Sequence, residues 1–184
     1  MFKKLGQIVA AGTAALLLAA PGAALAQDRS SGGATGSTTV RNSYAAIGLG
    51  VFDVTDSDSS AEGRLEWQGP RAWWILSPLV GFIATGDGAV FGYAGVSTDV
   101  WLTPKLALVP SVAAGIYDDG SDGKDLGHTA EFRSQLELRY NLDWGGRIGV
   151  AFSHMSNAGL DDDNPGANSL MLTYGVPLSR VRGR

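Results

Sequence analysis

The sequence predicts an all-β protein, an eight-stranded antiparallel transmembrane β-barrel of the bacterial outer membrane. Beyond the first 26 residues the chain has no run of about 18 apolar residues, the length that a membrane-spanning helix requires. Its apolar residues fall instead into eight segments of about ten residues, long enough for a tilted strand to cross a bilayer. Tight turns and longer loops alternate between these segments, as they do in outer-membrane barrels.

The N-terminus has the features of an export signal. Two lysines precede an apolar stretch from Ile8 to Ala20, and Ala24-Leu25-Ala26 matches a small-residue cleavage site. We therefore assign residues 1–26 to a signal peptide. Residues 27–42 are small and polar, and they predict a flexible segment that precedes the barrel.

The barrel is predicted over residues 43–178, followed by a short basic tail at residues 179–184. The predicted strands are 43–54, 61–69, 72–84, 90–102, 105–117, 130–141, 146–156 and 168–177. Their number is even, as bacterial barrels of this type require.

The predicted connections differ between the two ends of the barrel. Tight turns follow the second, fourth and sixth strands, at Pro70-Arg71, Thr103-Pro104 and Asp143 to Gly146. Mostly longer, acidic connections follow the other strands, at 55–60, 85–88, 118–129 and 157–167. All five tryptophans fall near the tight turns, as in an interfacial aromatic girdle: Trp67, Trp73, Trp74, Trp101 and Trp144. This arrangement places the short turns in the periplasm, so that the seventh strand runs outward.

Strand alternation is clearest at residues 131–140. One face carries five polar side chains, Glu131, Arg133, Gln135, Glu137 and Arg139, and the other carries Phe132, Ser134, Leu136, Leu138 and Tyr140. We predict that the polar face lines a narrow lumen filled by paired charges. An eight-stranded lumen of this kind is too narrow for a porin.

Composition excludes several classes of function. The formal net charge is −4, and no stripe of lysine and arginine is interleaved with aromatic residues, so nucleic acid is not expected as a partner. The chain has no cysteine, which excludes disulfides and thiolate metal sites. Asp161 to Asp163 are interpreted as a solvated turn, and neither a metal nor a cofactor is predicted.

The seventh predicted strand carries the candidate catalytic residues. Alternation puts His154 and Ser156 on the same face as Phe152, in an apolar stripe that faces lipid. Their Cα atoms are about 6.5 to 7 Å apart in a strand, so His154 is a candidate general base and Ser156 a candidate nucleophile for ester hydrolysis. Asn157 and the backbone N–H groups near Gly159 are candidate oxyanion donors.

Residues 131–177 resemble the lipid A 3-O-deacylases of the PagL type, small outer-membrane barrels that remove an ester-linked 3-hydroxyacyl chain from lipid A. The resemblance rests on His154-x-Ser156-Asn157-Ala158-Gly159, on Asn164-Pro165-Gly166 and on a closing strand that ends at Pro177. It implies that His154 is the base and Ser156 the nucleophile. It also implies an oxyanion hole at Asn157 and Gly159.

One position departs from that family. The third catalytic residue of the family is a glutamate at the start of the last strand, where this chain has Asn168. Strand parity places Asn168 beside His154, and an asparagine can orient an imidazole without giving it a full counter-charge. The hypothesis is that Asn168 takes the orienting role. The alternatives are an aspartate of the 161–163 loop or no effective third member, since Glu131 is predicted to point inward.

Two classes of function follow. The first is a lipid A deacylase that hydrolyses the ester-linked 3-hydroxyacyl chain at the 3-position of lipid A, in the outer leaflet, with a serine nucleophile. The second is a non-catalytic structural or adhesive barrel that has lost this activity. A further hypothesis is a soluble lipocalin-like barrel of the periplasm. The expected partners are lipid A and the outer membrane, and a homodimer is left open.

Overall fold

The computed structural model describes residues 42–57, 59–72 and 74–178. The predicted signal peptide, nearly all of the predicted flexible segment and the basic tail lie outside these residues, so those assignments stay predictions. Within the described ranges, no helix has the length and the apolar character needed to cross a bilayer.

The described residues contain nine strands, which form one antiparallel sheet that closes on itself. They are β1 (Tyr44–Phe52), β2 (Ser60–Gln68), β3 (Ser77–Thr85), β4 (Val90–Ser97), β5 (Val100–Trp101), β6 (Leu106–Asp118), β7 (Ala130–Asn141), β8 (Arg147–Ser156) and β9 (Ala167–Pro177). β1 pairs with β9, and β4 pairs with β6, so eight long strands complete the ring. The two-residue β5 pairs with the start of β6. The predicted eight-stranded antiparallel barrel is confirmed.

The third strand begins later than predicted. The predicted strand starts at residue 72, whereas β3 starts at Ser77. The Ala72 N–H donates to Leu76 O at 2.8 Å, and Trp74 has a φ of 57°, so the chain turns back on itself before the strand begins. The connection after β2 is therefore wider than the tight turn predicted there.

The fourth predicted strand, at 90–102, is interrupted. The regular pairing of β4 ends at Ser97 and resumes in β5, with Thr98 and Asp99 between them. The Asp99 carboxylate accepts a hydrogen bond from Arg139, which is buried inside the barrel. An ion pair inside the barrel thus accompanies the break in the strand.

The inner face of β7 is polar, as predicted. Its buried residues include Glu131, Arg133, Gln135 and Arg139, and its exposed residues include Phe132, Leu136, Leu138 and Tyr140. Exposed apolar side chains on every second residue are typical of a strand that faces lipid. The polar ladder of residues 131–139 therefore lines the lumen.

Charged side chains tie β2 to β7 across this lumen. Arg133 Nη2 lies 3.1 Å from Glu66 Oε2, and the same carboxylate accepts a hydrogen bond from Tyr93 Oη at 2.8 Å. The Arg133 guanidinium also stacks 4.0 Å from the centre of the Tyr93 ring. Arg64 of β2 donates to Gln135 of β7. A buried charge is costly without a partner, so these pairs hold opposite walls of the barrel together.

The described tryptophans lie at the end of the barrel where β1 begins and β9 ends. Trp74, Trp101 and Trp144 are exposed there, and Trp144 packs against Tyr174 with ring centres 6.3 Å apart. Trp67 is close to the end of β2, and Trp73 lies outside the described residues. The arrangement agrees with an aromatic girdle at one membrane interface.

We expect Glu66→Ala to lower the free energy of unfolding by about 3 to 5 kcal/mol, because it leaves the Arg133 charge buried without its partner. Urea unfolding in phospholipid vesicles, followed by tryptophan fluorescence, measures this change.

Leu172→Ala is the matched control, since this side chain faces lipid and is 67% exposed. Lipid tails replace the contacts that this side chain loses, so we expect the free energy of unfolding to change by less than about 1 kcal/mol. The double variant Glu66→Met with Arg133→Met should recover most of the loss, because no charge is left unpaired. Equal stability of Glu66→Ala and Leu172→Ala would contradict the role of the ion pair.

Candidate active site

The end of β8 presents a histidine and a serine to the outside of the barrel. Phe152 of β8 is 47% exposed and points outward, whereas Met155 is 5% exposed and points into the lumen. His154 and Ser156 share the parity of Phe152 and therefore face outward, as the sequence predicts.

Asn168 holds the imidazole of His154. The pairing of β8 with β9 places the two residues directly opposite each other. His154 Nδ1 lies 2.9 Å from Asn168 Oδ1. Because a carbonyl oxygen can only accept, this contact requires a hydrogen on Nδ1, and in the neutral imidazole the lone pair then lies on Nε2. The atom that can take a proton is thus the one directed away from Asn168.

Gly166 borders the other edge of the imidazole. Its φ is +64°, and a Cβ at this position would lie 3.0 Å from His154 Cε1 and 3.5 Å from Nε2. Glycine adopts this conformation without the steric cost that other residues meet. The missing side chain keeps the Nε2 edge of His154 open.

Ser156 Oγ makes no hydrogen bond to any residue in the described part of the chain. It lies two residues beyond His154 on the same face, where rotation about χ1 redirects the hydroxyl. The hydrogen bond between a nucleophile and its base is often long in a ligand-free enzyme and shortens when substrate binds. The arrangement is therefore compatible with proton transfer from Ser156 to His154.

Asn157 and Gly159 do not present free donors. Both Nδ2 hydrogens of the buried Asn157 are engaged, by Leu126 O at 3.1 Å and by Asp163 O at 2.8 Å. Its Oδ1 accepts a hydrogen bond from Gly159 N at 2.9 Å. The side-chain N–H groups of Asn157 and the Gly159 N–H are thus engaged within the protein, and the oxyanion role expected for these residues stays a prediction. The two carbonyl groups that accept hydrogen bonds from Asn157 Nδ2 belong to two different loops.

Asn164 is a candidate donor that the sequence analysis did not assign. Its Oδ1 accepts a hydrogen bond from the backbone N–H of Asn157 at 3.1 Å. Its Nδ2 has no partner among the described residues, and the side chain is exposed. The Asn164-Pro165-Gly166 motif is the feature of the sequence that marks this position.

The other candidates for the third catalytic residue make no hydrogen bond to His154 in the described part of the chain. Asp161, Asp162 and Asp163 are exposed, and Asp161 Oδ1 accepts a hydrogen bond from the Asp163 N–H at 3.1 Å. Glu131 is buried in the lumen, as predicted. Within the described ranges, no group of three or more histidine and acidic side chains is arranged to hold a metal ion.

Thr55 is a second residue at the site that the sequence analysis missed. Asn168 Nδ2 donates a hydrogen bond to Thr55 Oγ1 at 2.9 Å. The Val54 N–H donates to Asn168 O at 2.8 Å, so the loop after β1 is docked on β9. Nothing in the local pattern of the sequence indicates this contact, because alternation along β1 would place Asp53 opposite Asn168.

We expect Asn157→Ala to separate the loops that follow β6 and β8, because it leaves the carbonyls of Leu126 and Asp163 without their donor. Each unsatisfied carbonyl should destabilise the contact between the loops by about 1 to 3 kcal/mol. Hydrogen exchange and limited proteolysis should accelerate in residues 119–129 and 157–166 while the barrel stays folded.

Asn141→Ala is the matched control, since Asn141 Nδ2 also donates to a backbone carbonyl, that of Lys105 at 3.1 Å, near the opposite end of the barrel. We expect no change in residues 119–129 for this variant. Unchanged exchange in Asn157→Ala would show that Asn157 does not hold the two loops together.

Comparison with known proteins extends these observations. Residues 57–177 match the family described as lipid A 3-O-deacylase (PagL). Over 117 residues the chain is 31% identical to the lipid A deacylase PagL of Bordetella bronchiseptica, and the match covers 61% of this chain and 62% of that protein. Over 135 residues it is 24% identical to the lipid A deacylase PagL of Pseudomonas aeruginosa, covering 62% of this chain and 75% of that protein.

A solved structure supports the fold. The crystal structure of the outer membrane enzyme PagL matches with a TM-score of 0.57 and 18% identity, over 73% of this chain and 99% of that one. The barrel therefore has the fold of that outer membrane enzyme. The family match at residues 57–177 covers both strands of the candidate site. The chain belongs to the lipid A 3-O-deacylase (PagL) family.

Proposed function

We propose that this protein is a lipid A deacylase that hydrolyses the ester-linked 3-hydroxyacyl chain at the 3-position of lipid A. The observation that carries the proposal is the 2.9 Å contact between His154 Nδ1 and Asn168 Oδ1 on the outer face, beside Ser156. The family and the matched relatives supply the class of substrate, since both are named for lipid A deacylation. An outward-facing histidine suits a substrate whose acyl chains lie in the bilayer.

The surface next to the site supports an acyl substrate. Phe152 precedes His154 on the outer face of β8, with Leu136 of β7 and Leu170 of β9 directly opposite it on either side. All three side chains are exposed and apolar. An acyl chain can pack along this face while its ester group reaches Ser156.

In the proposed reaction, Ser156 Oγ attacks the ester carbonyl carbon while His154 Nε2 takes the hydroxyl proton. The bond between the carbonyl carbon and the sugar oxygen then breaks, and the imidazolium returns the proton to that oxygen. A water molecule, deprotonated by the same nitrogen, hydrolyses the acyl-serine and releases a 3-hydroxy fatty acid. Ser156 then recovers its proton from His154.

Asn168 takes the orienting role in this scheme. Its amide oxygen keeps the hydrogen of His154 on Nδ1, which is the tautomer that a general base needs. An amide carries no charge, so the imidazolium formed during attack lacks an adjacent negative group. A slower reaction than that of a carboxylate-containing site is the expected consequence.

We assign the side chain of Asn164 to the oxyanion. The hydrogen bond from Asn157 N to Asn164 Oδ1 supports this assignment, because it holds the amide by its oxygen and leaves both Nδ2 hydrogens available. Asn157 then acts indirectly, as the residue that shapes the loop carrying Asn164. A donor held in place before the reaction is the usual means of stabilising a tetrahedral intermediate.

We expect Ser156→Ala to abolish deacylation, because the nucleophile is lost. Mass spectrometry of lipid A from cells that express the variant should show the 3-hydroxyacyl group retained, whereas wild type should remove it.

Ser153→Ala is the matched control. Ser153 belongs to the same strand but has the opposite parity, so it faces the lumen, and we expect full deacylation by this variant. Identical lipid A spectra with wild type and without the protein would favour the non-catalytic barrel. Deacylation by Ser156→Ala would exclude the serine mechanism.

We expect Asn164→Asp to lower kcat by about 10² to 10³, the usual effect of removing one oxyanion donor. The carboxylate still accepts the hydrogen bond from Asn157 N, but it has no N–H to offer and repels the developing charge. Turnover of purified lipid A in mixed micelles measures kcat, and Asn141→Ala is the control. Activity within threefold of wild type would remove Asn164 from the mechanism.

A further inference from the structure

The loop after β1 leaves the regular pairing at a single residue. Val51 lies opposite Leu170, and the same register would place Asp53 opposite Asn168. Instead Asp53 adopts a φ of 52°, and the N–H of Val54 donates to Asn168 O at 2.8 Å. One extra residue is thus accommodated at this point, as in a β-bulge, and the following side chains are re-aimed.

The bulge directs the carboxylate of Asp53 away from the Asn168 side chain. Asp53 is 2% exposed and forms an ion pair with Lys124, and its Oδ1 lies 3.5 Å from the backbone N of Asn168. Lys124 also lies 3.4 Å from Asp56 Oδ2. The Ser57 N–H and then Lys124 hold the pKa of the Asp56 carboxyl below its usual range. Two ion pairs thus fasten the loop after β1 to the loop after β6.

The same bulge brings Thr55 to the amide of Asn168. Asn168 Nδ2 donates to Thr55 Oγ1 at 2.9 Å, while Oδ1 of the same amide lies 2.9 Å from His154 Nδ1. Each end of the amide therefore has one partner. Thr55, Asn168 and His154 form a continuous row of hydrogen bonds on the outside of the barrel.

An asparagine depends on such a second contact more than a carboxylate does. Either oxygen of a carboxylate accepts a hydrogen bond from an imidazole, whereas an amide has an acceptor at one end and a donor at the other. Rotated by half a turn, Asn168 would present Nδ2 to His154 and favour the tautomer with hydrogen on Nε2. That tautomer cannot take a proton from Ser156.

We propose that Thr55 is a positioning residue for the hydrolysis, whose hydroxyl holds the Asn168 amide with its oxygen toward His154. The inference rests on the proposed function and deepens it, because it gives the loop after β1 a part in the site. Rotation of the amide requires the hydroxyl hydrogen of Thr55 and the ring hydrogen of His154 to move as well. The amide therefore changes its orientation only when all three groups change together.

The test compares Thr55→Val with Thr55→Ser in the full-length protein, with purified lipid A in mixed micelles. Valine keeps the shape and removes the hydroxyl, so we expect kcat to fall about five- to tenfold, the effect of one lost hydrogen bond. KM should stay within twofold, since Thr55 is not assigned a contact with substrate. Serine restores the hydroxyl and should recover most of the activity.

A second background separates positioning from general structure. In Asn168→Asp both oxygens of the carboxylate can accept the hydrogen bond from His154, so a half-turn of the group changes nothing. Adding Thr55→Val to this variant should therefore lower kcat by less than twofold. A structural role for Thr55 would give the same loss in both backgrounds. Thr98→Val is the matched control, because Thr98 Oγ1 donates to Ile75 O at 3.0 Å near the opposite end of the barrel, and we expect wild-type activity.

Nitrogen NMR of His154 provides a readout that does not require turnover. We expect the tautomer with hydrogen on Nδ1 in the wild-type protein and a mixture of both tautomers in Thr55→Val. The same single tautomer in both proteins would overturn the inference.

The failure of this inference differs from the failure of the proposed function. Equal kcat in wild type and Thr55→Val, or equal losses in both backgrounds, would exclude the positioning role of Thr55 and leave the serine mechanism intact. Activity that survives Ser156→Ala, or an inactive wild type, would contradict the proposed function and this inference together.

Discussion

Strand alternation in a closed barrel gives each side chain one of two surroundings, the lumen or the membrane, and the rest of this structure depends on that constraint. In two adjacent antiparallel strands, residues directly opposite each other point to the same face. His154 on β8 lies opposite Asn168 on β9, so both side chains point outward. The contact between imidazole and amide then forms on the membrane side. The candidate site therefore lies on the outer surface of the barrel and not in its lumen.

The lumen supplies the rigidity that such a surface site requires. Arg133 of β7 binds Glu66 of β2 across the barrel, and Thr173 of β9 donates a hydrogen bond to Glu137 of β7 at 2.7 Å. These contacts hold the walls behind the candidate site. The charged residues inside the barrel and the candidate catalytic residues outside it thus follow from one pattern of alternation. The inward residues hold the strands that carry the outward ones.

Loops from three parts of the chain complete the site at one end of the barrel. Asn157 joins the loop after β8 to the loop after β6 through Leu126 O. Lys124 belongs to the loop after β6 and forms an ion pair with Asp53 in the loop after β1, so these two loops are also joined. Thr55 then contacts Asn168, so this series of contacts returns to the strand that orients the imidazole. The neutral Asn168 is held within a connected polar network, although it lacks the charge of a carboxylate.

The amino-acid sequence was enough to predict the barrel, the polar lumen face of residues 131–139 and the pairing of His154 with Asn168. Alternation along a strand is a local property, and a register that keeps apolar residues on the outer face preserves it. The sequence placed the start of β3 too early, since the turn before Ser77 depends on a backbone hydrogen bond rather than on hydropathy. The hydrogen-bond partners of Asn157 and Thr55, in contrast, are visible only in the folded protein. Both depend on carbonyls, hydroxyls and ion pairs contributed by loops distant in sequence, and on one bulge at Asp53 that alternation does not foresee.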